Sequence, residues 1–224
     1  MGRDPVIVGP GVDHDDDDVD VEDGTDADID EPDTTPADQP FTDVASDAWY
    51  ADAVAYVKES GMMTGTSDTT FAPQQSLSRA MMAQVLYNLE GKPALEGEDL
   101  GSPFADVPGD SWYADAVYWA RLEGLCDGYS AERFGPEDNI TREQLALMLY
   151  RYAQYKGYDV SAVNDLTAFD DGVQTSDWAA EAMGWAVGSG LINGKNGVTL
   201  DPQGTATRAE VAQILMKFGQ NVPQ

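Results

Sequence analysis

The chain has 224 residues, 42% of them hydrophobic, and carries 41 acidic residues against 12 lysines and arginines, for a formal net charge of −29. With no basic run or patch, it argues against nucleic acid as a partner, because that binding rests on cationic neutralisation of phosphates, and it disfavours an anionic membrane surface. No apolar run approaches the roughly 20 residues needed to span a bilayer, so no membrane insertion is expected, and a single cysteine, Cys126, rules out an intramolecular disulfide framework.

Residues 1–40 come first in chain order and read as a disordered acidic spacer. They hold fifteen acidic residues, one base (Arg3), five prolines and no aromatic residue, too little apolar surface to offset chain entropy. The run Asp13 to Asp20 does not make a calcium loop: counted from Asp13, the glycine and glutamate positions of an EF-hand fall on Asp18 and Gly24. No metal and no other cofactor is expected. Nothing at Met1-Gly2-Arg3 has the charged-then-apolar form of a signal peptide, and the start resembles a trimmed one, with an export signal or an N-terminal cargo domain upstream. The close spacing of the last helix and Gln224 reads as a natural chain end.

From Phe41 onward the chain is one unit written three times. Trp49, Gly61, Gly65, Pro73 and Arg79 recur 63 residues later as Trp112, Gly124, Gly128, Pro136 and Arg142, and 66 residues after that as Trp178, Gly190, Gly194, Pro202 and Arg208. Self-similarity at this period marks a repeat architecture. The repeats are expected over 41–92, 104–157 and 169–219, the third with one extra residue in the loop 172–177. This part is still acidic, near −15 by count, and holds all five tryptophans.

Each repeat predicts two amphipathic helices. In the first, Tyr50, Ala53, Val54 and Val57 form an i, i+3, i+4, i+7 stripe, matched by Tyr113, Ala116, Val117 and Ala120 and by Ala179, Ala182, Met183 and Ala186. Gly61, Gly124 and Gly190 end it. A loop of about 16 residues leads past an apolar anchor (Phe71, Phe134, Leu200) and a proline to Ser78, Thr141 or Thr207, which suit the N-cap of the second helix. Gln144 and Glu210 complete capping boxes, whereas Met81 cannot. The second stripe is Met82, Val85, Leu86, Leu89, then Leu145, Met148, Leu149, Tyr152, then Val211, Ile214, Leu215, Phe218. Two such helices cannot close a core alone, so the fold is all-α with repeats packed on each other; a pseudo-threefold ring and an open solenoid both satisfy the spacing. Cys126 aligns with Met63 and Ile192 and reads as a small core residue.

Enzymatic chemistry is poorly served. The only histidine, His14, lies in the acidic tail, which removes Ser-His-Asp and Cys-His arrangements from the repeats; no carboxylate pair stands out for glycoside hydrolysis; no phosphate-binding loop is present. The arginines need an explanation, since a cation directly after an N-cap opposes the helix dipole. Arg79, Arg142 and Arg208 each call for a partner, either an acidic side chain of a neighbouring repeat or a ligand. Trp49, Trp112 and Trp178 immediately precede a buried stripe and read first as core anchors and second as flat platforms for a sugar, a role open also to Tyr129 and Trp119. Gly65, Gly128 and Gly194 read as turn glycines that could let a ligand approach the backbone.

Taken in order, Phe-x-Asp-Val at Phe41 and Phe104, Trp-x-x-x-Ala from Trp49 to Ala53, the Gly-x-x-x-Gly turns, the Phe-x-Pro segment and the Thr-Arg-Ala-Glu motif resemble the S-layer homology family. The motif is intact at Thr207 to Glu210 and varied at Ser78 to Met81 and Thr141 to Gln144. The resemblance covers Phe41 to about Gly219. It implies a non-catalytic, extracellular module of three units in a pseudo-threefold body, attached to the bacterial cell wall. Grooves between units would bind a secondary cell-wall polysaccharide, often pyruvylated, or else peptidoglycan itself. Arg79, Arg142, Arg208 and Glu210 carry over from the motif, with guanidinium forks suited to a ketal carboxylate beside unpaired helix N-terminal amides. A helical repeat scaffold for a protein partner is the alternative.

Overall fold

The structure is a computed structural model, and it describes residues 41–95 and 104–222, all within one compact unit spanning Pro36–Gln224. The acidic spacer, including Asp13 to Asp20, lies outside the described residues. Among the described residues six helices carry the fold: α1 (Ala51–Glu59), α2 (Arg79–Leu89), α3 (Ala114–Leu122), α4 (Arg142–Lys156), α5 (Ala180–Gly188) and α6 (Arg208–Asn221). Three 3-10 turns, Leu166–Ala168, Gly172–Gln174 and Asp177–Ala179, carry the chain into α5. Among the described residues no strand forms beyond isolated bridges, as expected for an all-α chain.

Helices pair across repeats. The second helix of each unit lies on the first helix of the next: α2 on α3, α4 on α5, and α6 back on α1. The last pair closes the ring and decides against a solenoid. The stripes face these seams, with Ala53, Val54, Val57, Met82 and Leu86 fully buried alongside their counterparts Ala116, Val117, Leu145 and Leu149.

At the centre, the residues before the three N-caps form a closed triangle of backbone hydrogen bonds. Leu77 N–H donates to Ala206 O (3.0 Å), Ala206 N–H to Ile140 O (3.3 Å) and Ile140 N–H to Leu77 O (2.9 Å). The first two amides of each second helix, which have no partner within the helix, donate to loop carbonyls of the next repeat. Arg79 N–H reaches Asp138 O (3.0 Å) and Ala80 N–H reaches Pro136 O (3.1 Å); Arg142 and Glu143 reach Gly204 and Pro202, and Arg208 and Ala209 reach Gln75 and Pro73. The third amide goes to the cap hydroxyl of Ser78, Thr141 or Thr207, with full capping boxes at Gln144 and Glu210 and none at Met81.

The opening motif has two mechanical roles. The Phe41, Phe104 and Phe169 rings lie against Gly65, Gly128 and Gly194, where a Cβ would collide with the ring; these glycines are fixed by close packing. The aspartate two residues on spans the loop: Asp43 accepts from Phe71 N–H (2.8 Å) and Ala72 N–H (2.7 Å), Asp106 from Phe134 and Gly135, Asp171 from Leu200 and Asp201. This clamp holds the residue after the anchor in left-handed backbone, φ 57° at Ala72, 73° at Gly135 and 51° at Asp201. In the third repeat the longer entry path is pinned by buried Glu143, which accepts from Ser176 N–H and Oγ, both at 3.0 Å.

Burial raises the pKa of Asp43, Asp106 and Asp171, but the amide donors outweigh it, so all three carboxyls lie below their ordinary value. A depressed folded pKa contributes stability that is present above the unfolded value and lost as pH falls through the folded one. Thermal melts are therefore expected to hold a flat midpoint down to about pH 4 and to fall below it. Asp106→Asn, which keeps one acceptor and cannot titrate, is expected to lower the plateau by about 1–2 kcal/mol and to shallow the acid limb; an unchanged acid limb would count against the clamp.

Candidate functional site

Three grooves surround the ring at equivalent positions, and each takes residues from all three repeats. The first groove has α2 as its floor (Met81, Gln84, Asn88), the turn Thr64 to Thr66 as one wall, Arg208 of the third repeat at its base and Trp112 of the second at its rim. The second uses α4 (Gln144, Leu147, Arg151), the turn Asp127 to Tyr129, Arg79 and Trp178. The third uses α6 (Glu210, Gln213, Lys217), Asn193 and Lys195, Arg142 and Trp49. Their volumes are about 370, 420 and 190 Å³.

The three arginines are the deepest polar groups of the grooves, each only 4–5% exposed. Backbone carbonyls of the next repeat take their hydrogen bonds, and an acidic side chain of a neighbouring repeat, the other protein partner expected from the sequence, stands at ion-pair distance from Arg142. Arg79 Nε donates to Phe134 O (3.0 Å) and its Nη2 to Asp127 O (2.7 Å). Arg208 repeats this on Phe71 O (2.7 Å) and Thr64 O (2.6 Å). Arg142 Nε donates to Leu200 O (2.7 Å), with Nη1 3.9 Å from Glu210 Oε1. The guanidinium of Arg79 lies over the rings of Tyr129 and Phe134, 4.6 and 4.7 Å from their centroids, and that of Arg208 lies 4.5 Å over Phe71, an arrangement that adds cation–π attraction. Burial lowers the pKa of Arg142 and Arg208, opposed by Glu210 and Asp43 respectively. The arginines are bolts between repeats as well as groove floor. The unpaired helix amides expected beside them are spent on neighbouring carbonyls, so no anion pocket of that kind exists.

The tryptophans also depart from expectation. Trp49, Trp112 and Trp178 are 63, 61 and 53% exposed. Each precedes the N-cap of its helix (Tyr50, Tyr113, Ala179), and the stripe begins only at the cap. Trp49 and Trp112 are held edge-on by the following tyrosine, at 5.2 and 5.1 Å and 86°. Trp119 is 2% exposed in the α2–α3 seam against Tyr87 and offers no sugar platform. Tyr129 is half exposed in the second groove. Gly65 and Gly128 line the first and second grooves, whereas Gly194 is not among the lining residues of the third. Glu210 lines the third groove with its Oε2 accepting from Thr207 N–H at 2.8 Å. Cys126 is buried, and burial pushes its thiol up to about 12, in keeping with a core role.

Residues at 88, 151 and 217 (Asn, Arg, Lys), and at 64, 127 and 193 (Thr, Asp, Asn), had not been singled out from sequence, yet they set the character of each groove. Aligning the copies and reading the positions that vary beside the constant arginine would have found them.

Fold and grooves together define a closed, threefold-repeated helical module with an inter-repeat groove at each of three equivalent positions. The family model for the S-layer homology domain matches residues 40–83, 103–146 and 168–212, and the chain belongs to that family. It is 30% identical over 182 residues to an amylopullulanase of Thermoanaerobacterium thermosulfurigenes, a match covering 80% of this chain and 9% of that one. It is 31% identical over 175 residues to the Surface-layer 125 kDa protein of Lysinibacillus sphaericus (76% and 14%) and 29% identical over 181 residues to the S-layer protein sap of Bacillus anthracis (81% and 21%). The chain thus spans about a tenth to a fifth of the length of these relatives. The domain is a non-catalytic anchoring module, and family membership places the chain among cell-surface, wall-associated proteins. No helix among the described residues is long and apolar enough to cross a membrane.

Arg208→Ala leaves the carbonyls of Phe71 and Thr64 without their donor, and urea unfolding is expected to show a loss of about 2–4 kcal/mol. Arg208→Lys, which cannot reproduce the two-pronged fork, is expected to recover less than half of it. Wild-type stability in Arg208→Ala would contradict the bolt.

Proposed function

We propose that the chain tethers a larger surface protein to the bacterial wall by binding a secondary cell-wall polysaccharide in its inter-repeat grooves. The observation that carries this reading is the threefold recurrence of one groove with an exposed indole at its rim and a cation at its base. An indole held outside the core, against the trend for large aromatic side chains, is suited to stacking on the apolar face of a sugar ring. The polar side chains on the floor, Gln84, Gln144 and Gln213 among them, suit sugar hydroxyl and N-acetyl groups. Three grooves on one rigid body also support binding of a repeating polymer, because each further contact is made at high effective concentration. A pyruvylated polymer is the favoured ligand, with its carboxylate drawn to groove cations despite the acidic surface. The cargo reading draws on the far greater length of the relatives.

The test is co-sedimentation with bacterial sacculi, whole and stripped of secondary polysaccharide. Retention on whole walls only is expected. The triple variant Trp49→Ala, Trp112→Ala, Trp178→Ala is expected to lose retention while each substitution shifts stability by no more than about 0.5 kcal/mol, the indoles being exposed. Equal retention on both walls would point to peptidoglycan, and full retention of the triple variant would remove the grooves from the account.

A further inference from the structure

The three grooves share a scaffold and differ in charge. In the first, Arg208 is committed to Thr64 O and Phe71 O, and its neighbours on the floor are neutral: Met81, Gln84 and Asn88. In the second, the residue equivalent to Asn88 is Arg151, whose Nη1 donates to Asp127 Oδ2 at 2.8 Å, while Asp127 Oδ1 accepts from Arg121 at 2.6 Å. The protein there supplies one carboxylate of its own, shared between two of its own guanidiniums. In the third, the cation is Lys217 and the position of Asp127 is taken by Asn193, which carries no charge. Lys217 is partly buried on the groove floor, and among the described residues it has no ion-pair partner. Other carboxylates near this groove are engaged: Glu210 closes the α6 capping box, and Asp201 accepts from Lys195 Nζ at 2.5 Å.

We infer that the third groove is the acid-selective subsite of the module and that Lys217 is the residue that selects a carboxylate-bearing sugar, the first groove taking neutral sugar units and the second having its cation already occupied by Asp127. The inference rests on the groove reading under Proposed function and assigns it a direction along the ring. A partly buried ammonium without a counter-ion gains by pairing with a ligand carboxylate, whereas the other two cations of this groove, Arg142 and Lys195, already face Glu210 and Asp201. The motif arginine is a poor candidate for this selectivity. It is present at the base of all three grooves, with its Nε spent on a carbonyl each time.

Each groove carries its own reporter, because the exposed indole at its rim is a different residue: Trp112, Trp178 and Trp49 for the first, second and third. The experiment titrates the ¹⁵N-labelled chain, followed through its indole N–H signals, with wall polysaccharide solubilised by a muramidase, used native and after chemical reduction of its carboxylates to alcohols. The Trp49 signal is expected to move at the lowest concentration of native polymer. Carboxylate reduction or Lys217→Gln is expected to weaken that response about tenfold, in line with loss of one charge-assisted hydrogen bond, with Trp112 unaffected by either. A lead by Trp112 or Trp178, or a Trp49 lead that survives Lys217→Gln, would overturn the inference and leave the groove reading intact. Retention on sacculi with none of the three indoles responding would overturn both.

Discussion

The structure depends on a backbone problem that each repeat leaves to its neighbour. A helix cannot satisfy its own first amides, and here the N-terminus of every second helix is completed by loop carbonyls of the following repeat. The triangle of Leu77, Ile140 and Ala206 and the arginine one residue beyond each N-cap belong to the same device. Because the chain of dependence runs from the first repeat to the second, to the third and back to the first, it is complete only when α6 meets α1. The cost of a cation near the positive helix end is offset by hydrogen bonds that carbonyl oxygens accept and by the faces of Tyr129, Phe134 and Phe71.

That same closure makes the grooves. Every groove needs an arginine from the preceding repeat and a tryptophan from the following one, so no single repeat holds a site. The repeated parts, Phe, Asp, Gly and Arg, maintain the frame; the side chains at 88, 151 and 217 and at 64, 127 and 193 vary without disturbing it. Chemical differences among the grooves therefore come at little structural cost.

Much of this was legible in the sequence because it is local. Apolar stripes, terminating glycines, the hydroxyl N-caps and the presence or absence of each capping box follow from spacing within one helix, and all stand where the periodicity put them. The ring, the carbonyl partners of the arginines and the use of the helix amides involve residues tens of positions apart, as with Arg208 and Thr64, and no pattern within a repeat reports them. The tryptophans misled for a simpler reason. Trp49 adjoins the buried stripe, but it stands one residue before the cap, where the chain has not yet turned its side chains inward. The Phe-x-Asp-Val opening was recognised as a motif; its work as a ring against glycine and a carboxylate across a loop became readable only in three dimensions.

The central claim is that the repeats are one cooperative body locked at the triangle. Native-state hydrogen exchange of the Leu77, Ile140 and Ala206 amides tests it most directly. The account predicts that all three exchange only through global unfolding, with a common opening free energy equal to that from urea denaturation. Exchange of one amide at a markedly lower free energy than the other two would show a repeat opening by itself, and would contradict the closed ring as the source of stability.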